Sequence, residues 1–269
     1  MATLWSPICD QLGIKVPIFG FAHDIATVAA ISNAGGYGVY GATRRFPDEI
    51  TQELAQIKAL VGARPFGVDL VLPPGMPEHD SREAIEIDIP DEHKAFVQSI
   101  IEQYNIPPAT QPGMRTRFIR SAEIEAAQIR SVLASPVNMF ACGIGAPAAV
   151  IEAAKAQGMT TLALIGSPHH VARTIAAGVD IIVAQGYDAG AHTGTIGTYS
   201  LVPQIVEAAG DVPVLVAGGV ATGKHIAAAL AMGAQGVWMG TAWLFSEEHQ
   251  GHMHPINTQK LIEAGSGDT

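Results

Sequence analysis

The chain has 269 residues, of which 48% are hydrophobic and only 15% charged. That length suits one large α/β core, since closed α/β barrels run to about 250 residues. The low charged fraction, against roughly 25% in ordinary globular proteins, excludes a disordered polyelectrolyte. The net charge of -10, with no Lys/Arg-rich tract, argues against a nucleic-acid partner.

The N-terminal stretch Met1 to Lys15 has no basic region followed by an apolar run, and no segment approaches the ~20 apolar residues that span a bilayer. A soluble, cytoplasmic protein is expected. Cys9 and Cys142 are too few for a disulfide framework and lack Cys-x-x-Cys spacing.

Short apolar, β-branched runs then alternate with glycine-rich turns and Ala-rich helical stretches, the pattern of βα units on a parallel sheet. Eight strands are predicted, at Val16–Phe21, Tyr37–Ala42, Phe66–Leu72, Val137–Ala141, Thr160–Ile165, Val179–Ala184, Val212–Ala217 and Gly236–Met239. Runs such as Val212 to Ala217 are apolar throughout, as in strands covered on both faces. Helices are predicted between them, for example at Ala146–Gln157 and at Thr222–Met232, the latter closed by Gly233. Eight such units predict a (β/α)8 TIM barrel forming a single domain over residues 1–269, with an open doubly wound sheet as the alternative.

One connection is longer. Residues 73–135 hold Pro73-Pro74-Gly75, helices at Asp91–Gln103 and near Ser121–Leu133, and an acidic run. Glu78 to Glu102 carries eight acids and two bases, so six of the ten net negative charges sit there. Insertions after a strand's C-terminal end serve barrels as lids and substrate elements, or as plain solvated surface.

The chemistry-bearing segments fall at strand C-terminal ends. Ala217-Gly218-Gly219-Val220-Ala221-Thr222-Gly223 opens a helix after the seventh strand, and Trp238-Met239-Gly240-Thr241 ends the eighth. Loops after these two strands commonly form a phosphate site together, because glycines let amides approach an anion and the helix dipole favours it. After the sixth strand, Gln185-Gly186-Tyr187-Asp188-Ala189-Gly190-Ala191-His192-Thr193-Gly194 leaves room for a planar ligand beside Gln185 and His192. Histidine is suited to moving protons near neutral pH, although a loop histidine is also often structural. His23 ends the first strand on the same face and is a candidate substrate contact. Asp69 lies inside the third strand, where an unpaired charge is costly. It therefore either bonds a ligand at the barrel mouth or is paired locally.

His169 and His170 follow Pro168 at a helix start, where a solvated or capping role is expected rather than chemistry. His249, His252 and His254 lie in a polar segment without a nearby carboxylate or Cys set, so no metal site is expected. No strand carries the lysine of a Schiff-base aldolase, and neither a Gly-x-Ser-x-Gly elbow nor a P-loop is present.

Taken together, Pro17-Ile18, Ser32-Asn33-Ala34-Gly35-Gly36-Tyr37-Gly38, Phe66-Gly67-Val68-Asp69, the Gln185–Gly194 segment and the two phosphate turns make the chain resemble the nitronate monooxygenase family, once called 2-nitropropane dioxygenases, from Val16 to about Leu244. The resemblance implies an FMN-dependent barrel oxidoreductase. It implies that Gln185 and Gly190 contact the flavin, that Gly218, Gly219, Gly240 and Thr241, with Trp238 and Met239 before them, hold its phosphate end, and that His192 is the catalytic histidine. Three departures stand out. The family commonly has Pro-Met at Ala22-His23, Asn at Asp69 and Gly-Gly-His at Gly190-Ala191-His192. Because the first two positions face the flavin in the family, Ala22, His23 and Asp69 become candidates for cofactor contact and redox tuning. Members usually continue for some tens of residues past the eighth strand, whereas residues 245–269 form a short tail that stops at Thr269 after Gly265-Ser266-Gly267-Asp268, so a missing or shortened final helix is expected.

The activity so implied is oxidation of an alkyl nitronate, or a similar activated carbon acid, with O2. The alternatives are an NAD(P)H-dependent reductase of enoyl thioesters or quinones, and a non-redox barrel binding a phosphorylated ligand. The partners expected are a small-molecule substrate and O2, NAD(P)H in the reductase case, and further copies of the chain, but neither nucleic acid nor membrane. The acidic insertion argues against a wide funnel for anions and marks that segment for substrate selection.

Overall fold

The computed structural model describes residues 4–78, 86–87, 89–110, 118–249 and 253–265. Eight parallel strands close into a barrel in chain order: β1 (Ile18–Ala22), β2 (Tyr37–Gly41), β3 (Phe66–Val71), β4 (Met139–Gly143), β5 (Thr160–Ile165), β6 (Ile181–Gln185), β7 (Val214–Ala217) and β8 (Gly236–Met239), the last pairing with β1. The open-sheet alternative is thereby excluded.

The predicted strands are all present; β5 and β8 keep their predicted bounds, and the others have shifted ends. β1, β4, β6 and β7 start two residues later than their apolar runs because polar or proline residues manage each entry. Pro17 and Pro213 have no N–H, and their carbonyls accept from Val237 and Ile182 at 3.0 and 2.9 Å. Asp180 turns its carboxylate to the Thr161 amide at 2.8 Å. β1, β4 and β6 also run one or two residues further than predicted, which makes Gln185 the last residue of a strand rather than part of a loop.

Alternation sorts the side chains into two layers. Phe19, Tyr37, Val39, Met139, Ala141, Leu162, Ile181, Val183, Leu215, Ala217 and Trp238 fill the barrel interior with Ile8 and Cys9 of α1 (Pro7–Leu12), which closes the end where the strands begin. The opposite faces, including Val68, Leu70, Phe140 and Cys142, pack beneath the outer helices. Those helices include α2 (Ile25–Ala34) and α3 (Pro47–Val61).

In the long connection, α4 (Asp91–Gln103) buries none of its residues. Its successor α5 (Ala122–Leu133) behaves differently. Ser121 caps it through the Ile124 amide, Val132 joins the core, and buried Gln128 donates to the carbonyls of Thr43 and Arg45 at 3.1 and 2.7 Å. It is thus the outer helix of the third unit, and α4 lies outside the barrel layers. Residues 79–85 and 88 of the acidic run lie outside the described residues. Beyond β4 follow α6 (Ala148–Ala156), α7 (Val171–Ala176), α8 (Thr198–Ala209), α9 (Gly223–Ala231) and, in the tail, α10 (Pro255–Glu263). Among the described residues no helix is long and apolar enough to cross a membrane.

Candidate functional site

The barrel mouth, where the strands end, gathers the sequence-predicted residues. Phe21, Leu164, Gln185, Ala217 and Trp238 belong to the inward-facing set, and Phe21 stacks on Trp238 with ring centroids 5.8 Å apart. Asp69 lies between Val68 and Leu70, which face the helices, so its carboxyl points inward. By the same alternation, Ala22 and Met239 turn their side chains to the helix layer, leaving only main chain for a ligand. Their place in the motif is a rim position, and the wall beside it is made by Phe21 and Trp238.

The loop after β6 is fixed at both ends. Buried Gln185 donates from Nε2 to the His192 carbonyl at 3.3 Å, and the Gly186 amide donates to Ala217 of β7 at 3.0 Å. Asp188 accepts the Thr198 amide at 2.7 Å, and this bond holds its carboxyl below the ordinary range. The loop therefore presents an exposed His192 imidazole, with no hydrogen-bond partner among the described residues, on a fastened main chain.

The two glycine turns meet this loop. Gly218 and Gly219 have φ of 103° and 71°, which a glycine adopts freely. Thr198 Oγ1 donates to the Gly218 carbonyl at 3.1 Å, and a Cβ on Gly190 would stand 3.1 Å from Thr241 Oγ1, so the turns after β6 and β8 are in touch. The amides of Gly218, Gly219, Gly240 and Thr241 find no acceptor among the described residues. Four open amides at adjacent strand ends suit an anion such as a phosphate. The helix that follows is less open than its sequence suggests. His225 Nδ1 accepts from the Ala221 and Thr222 amides at 3.1 and 3.2 Å, which takes these two amides before α9 away from an anion.

The rim at β1 is held from three sides. His23 Nδ1 lies 3.0 Å from the Gly41 carbonyl, which fixes the proton on Nδ1, since a carbonyl only accepts. Gly41 makes room for it, as a Cβ there would stand 2.5 Å from that nitrogen. Arg45, bound to Glu53 at 2.9 Å and to the Tyr40 hydroxyl at 2.8 Å, reaches the His23 carbonyl at 3.4 Å. Asp24 caps α2 through the Thr27 amide at 2.7 Å and meets His249 Nδ1 at 2.8 Å, both side chains buried. This corrects the expectation that no carboxylate lies near His249. The partner is 225 residues away in sequence, beyond the reach of spacing arguments. His254 accepts the Ile256 amide as the cap of α10. His252 and Ser266, Gly267 and Asp268 lie outside the described residues.

Asp69 is 5% exposed, and burial alone pushes its carboxyl from 3.8 up to about 7. No hydrogen bond or opposite charge from the described residues acts on it. Among the described residues Asp69 thus has no local partner.

A family model described as nitronate monooxygenase matches residues 7–269. Among curated proteins, the chain is 39% identical to one of Mycobacterium tuberculosis named as a monooxygenase, covering 97% of this chain and 72% of that one. It is 34% identical to a protein of Staphylococcus haemolyticus named as a nitronate monooxygenase, covering 90% and 68%. Among solved structures, the nitroalkane oxidase of Streptomyces ansochromogenes superposes with a TM-score of 0.73 at 29% identity over 93% of this chain and 73% of that chain. FabK of Thermotoga maritima reaches 0.74 at 24% identity, over 98% and 69%, a likeness of fold.

Proposed function

The chain belongs to the nitronate monooxygenase family and is an oxidoreductase of a flavin-dependent kind, and on that premise we propose that it uses FMN to oxidise an alkyl nitronate, or a similarly activated small carbon acid, with O2 as the electron acceptor. The observation that carries the reading is the convergence of four open amides, at Gly218, Gly219, Gly240 and Thr241, with a fastened loop that presents His192 beside them.

When bound, the flavin supplies the electron transfer that no side chain here can perform. The chain supplies position and electrostatics. The four amides hold the phosphate by hydrogen bonds to a charged acceptor, the strong kind. Phe21 and Trp238 form an apolar wall that excludes water from the reacting region. Gln185 fixes the His192 carbonyl, so the imidazole works from a defined place. His192 donates a hydrogen bond to an oxygen of the nitro group, which steadies the charge a nitronate already carries, or, where the substrate arrives as the neutral carbon acid, takes the proton next to that group. The test is to load the protein with FMN and mix it anaerobically with ethyl nitronate. Loss of the flavin absorbance is expected, and an unchanged spectrum overturns the reading.

A further inference from the structure

Among the described residues Asp69 is a carboxyl group of the inner wall that the proposed reaction leaves without a task. Its partner in register on β2 is Gly41, and on β4 it is Ala141, with Gly143 two residues further on. A Cβ on Gly143 would stand 3.8 Å from one of its oxygens, so the carboxyl reaches toward the end of β4, while the rings of His23 and Phe21 fill the room beside Gly41, where a Cβ would meet them at 2.5 and 2.7 Å. β6, which carries the fastened loop of His192, lies three strands away round the barrel, so Asp69 faces the reacting space from the other side.

A carboxylate so placed is unstable as an anion and repels an anionic substrate, whereas a carboxylic acid carries no desolvated charge and has a proton to donate. Resting on the oxyanion-substrate reading above, we propose that Asp69 is a specificity-determining residue which, as the neutral acid, donates a hydrogen bond to an oxygen of a small planar oxyanion bound in the mouth. A nitronate has such an oxygen, as does an enolate.

The midpoint near pH 7 makes the proposal measurable, because both forms are populated in ordinary buffers. The titratable side chains on the packed strands are Cys142 of β4, Tyr37 and Tyr40 of β2, and His23 after β1. Cys142 turns to the helix layer, its thiol pushed up to about 12 first by burial and then by Asp69. Tyr37 is sealed in the interior and Tyr40 is bonded to Glu53. His23 is held by the Gly41 carbonyl, and Arg120 beyond the end of β3 is paired with Glu125 at 3.2 Å. All of them, and His192, remain in place in Asp69→Asn, which keeps the shape and a donor but cannot ionise.

Calorimetric titration of the FMN-loaded protein with nitrate, a planar oxyanion that is not oxidised, is the test. In the unsubstituted protein the dissociation constant should rise about tenfold for each pH unit above about 7, and in Asp69→Asn this rise should be absent. Infrared difference spectra across the same range should show one protonated carboxyl band lost in the first protein and missing from the second. The proposal is overturned if both proteins show the same rise, if nitrate binds more tightly as pH increases, if nitrate does not bind below pH ~7, or if the band is absent. Because nitrate binding does not require turnover, an Asp69-dependent rise in a protein that fails to oxidise ethyl nitronate would sink the oxidase reading and leave the oxyanion site standing.

Discussion

Replacing Gly218 by alanine tests the phosphate turn in two independent ways. At φ 103° an L-residue is strained by about 1–2 kcal/mol. The added Cβ would stand 2.6 Å from Thr198 Oγ1 and 3.0 Å from the Gly186 carbonyl, overpacking of the sort that destabilises by about 1–3 kcal/mol. The sum, about 2–5 kcal/mol, is a large share of the 5–15 kcal/mol by which such domains are typically stable, and it corresponds to a fall in Tm of roughly 5–15 °C. The turn also carries two of the four open amides. Displacing one of its hydrogen bonds to a charged phosphate forfeits about 1.5–3 kcal/mol, or a roughly 10- to 100-fold weaker Kd for FMN. Fluorescence titration with FMN and thermal melts of the apoprotein read the two effects separately. Gly223→Ala is the control, since a Cβ there meets nothing within 4 Å, and it should change neither. An unchanged FMN Kd in Gly218→Ala would show that the phosphate does not lie on this turn.

Stability should depend on pH through Asp69. Its folded pKa, about 7, lies above the unfolded value near 3.8, so the unfolded chain releases a proton that the folded chain keeps, and stability falls as pH rises between those values. At 1.36 kcal/mol per unit the loss approaches about 4 kcal/mol, and Asp69→Asn should recover most of it above pH ~7 while changing little below pH ~4, as read by urea titration. A variant no more stable than its parent at high pH would contradict the burial argument. His192→Asn should keep the flavin spectrum and lower turnover by about 10²- to 10⁴-fold, and undiminished turnover would remove His192 from the chemistry.

The barrel was readable because its strands are covered on both faces and therefore appear as unbroken apolar runs, and because Gly218 and Gly219 mark a turn that other residues resist. Strand ends were less readable, since Pro17, Pro213 and Asp180 manage each entry by contacts with a neighbouring strand that lies elsewhere in sequence. Side-chain direction at the mouth follows from alternation once the ends are known, which is why Met239 and Ala22 could be placed at the rim but not turned away from it. The pair Asp24–His249 and the hold of Arg45 on the His23 carbonyl join segments 225 and 22 residues apart, and only the closed barrel brings them together. His225 could have been noticed: it stands three residues after Thr222, at the spacing of a capping box, with a ring nitrogen in place of the usual carboxylate or amide.

The most direct measurement is the visible spectrum of the FMN-loaded protein before and after anaerobic addition of ethyl nitronate, and again after admitting air. The flavin spectrum should bleach with the nitronate, be unaffected by NADH, and return with O2. A protein that retains no flavin after incubation with FMN, or whose flavin is bleached by NADH and left unchanged by the nitronate, would contradict the proposed function.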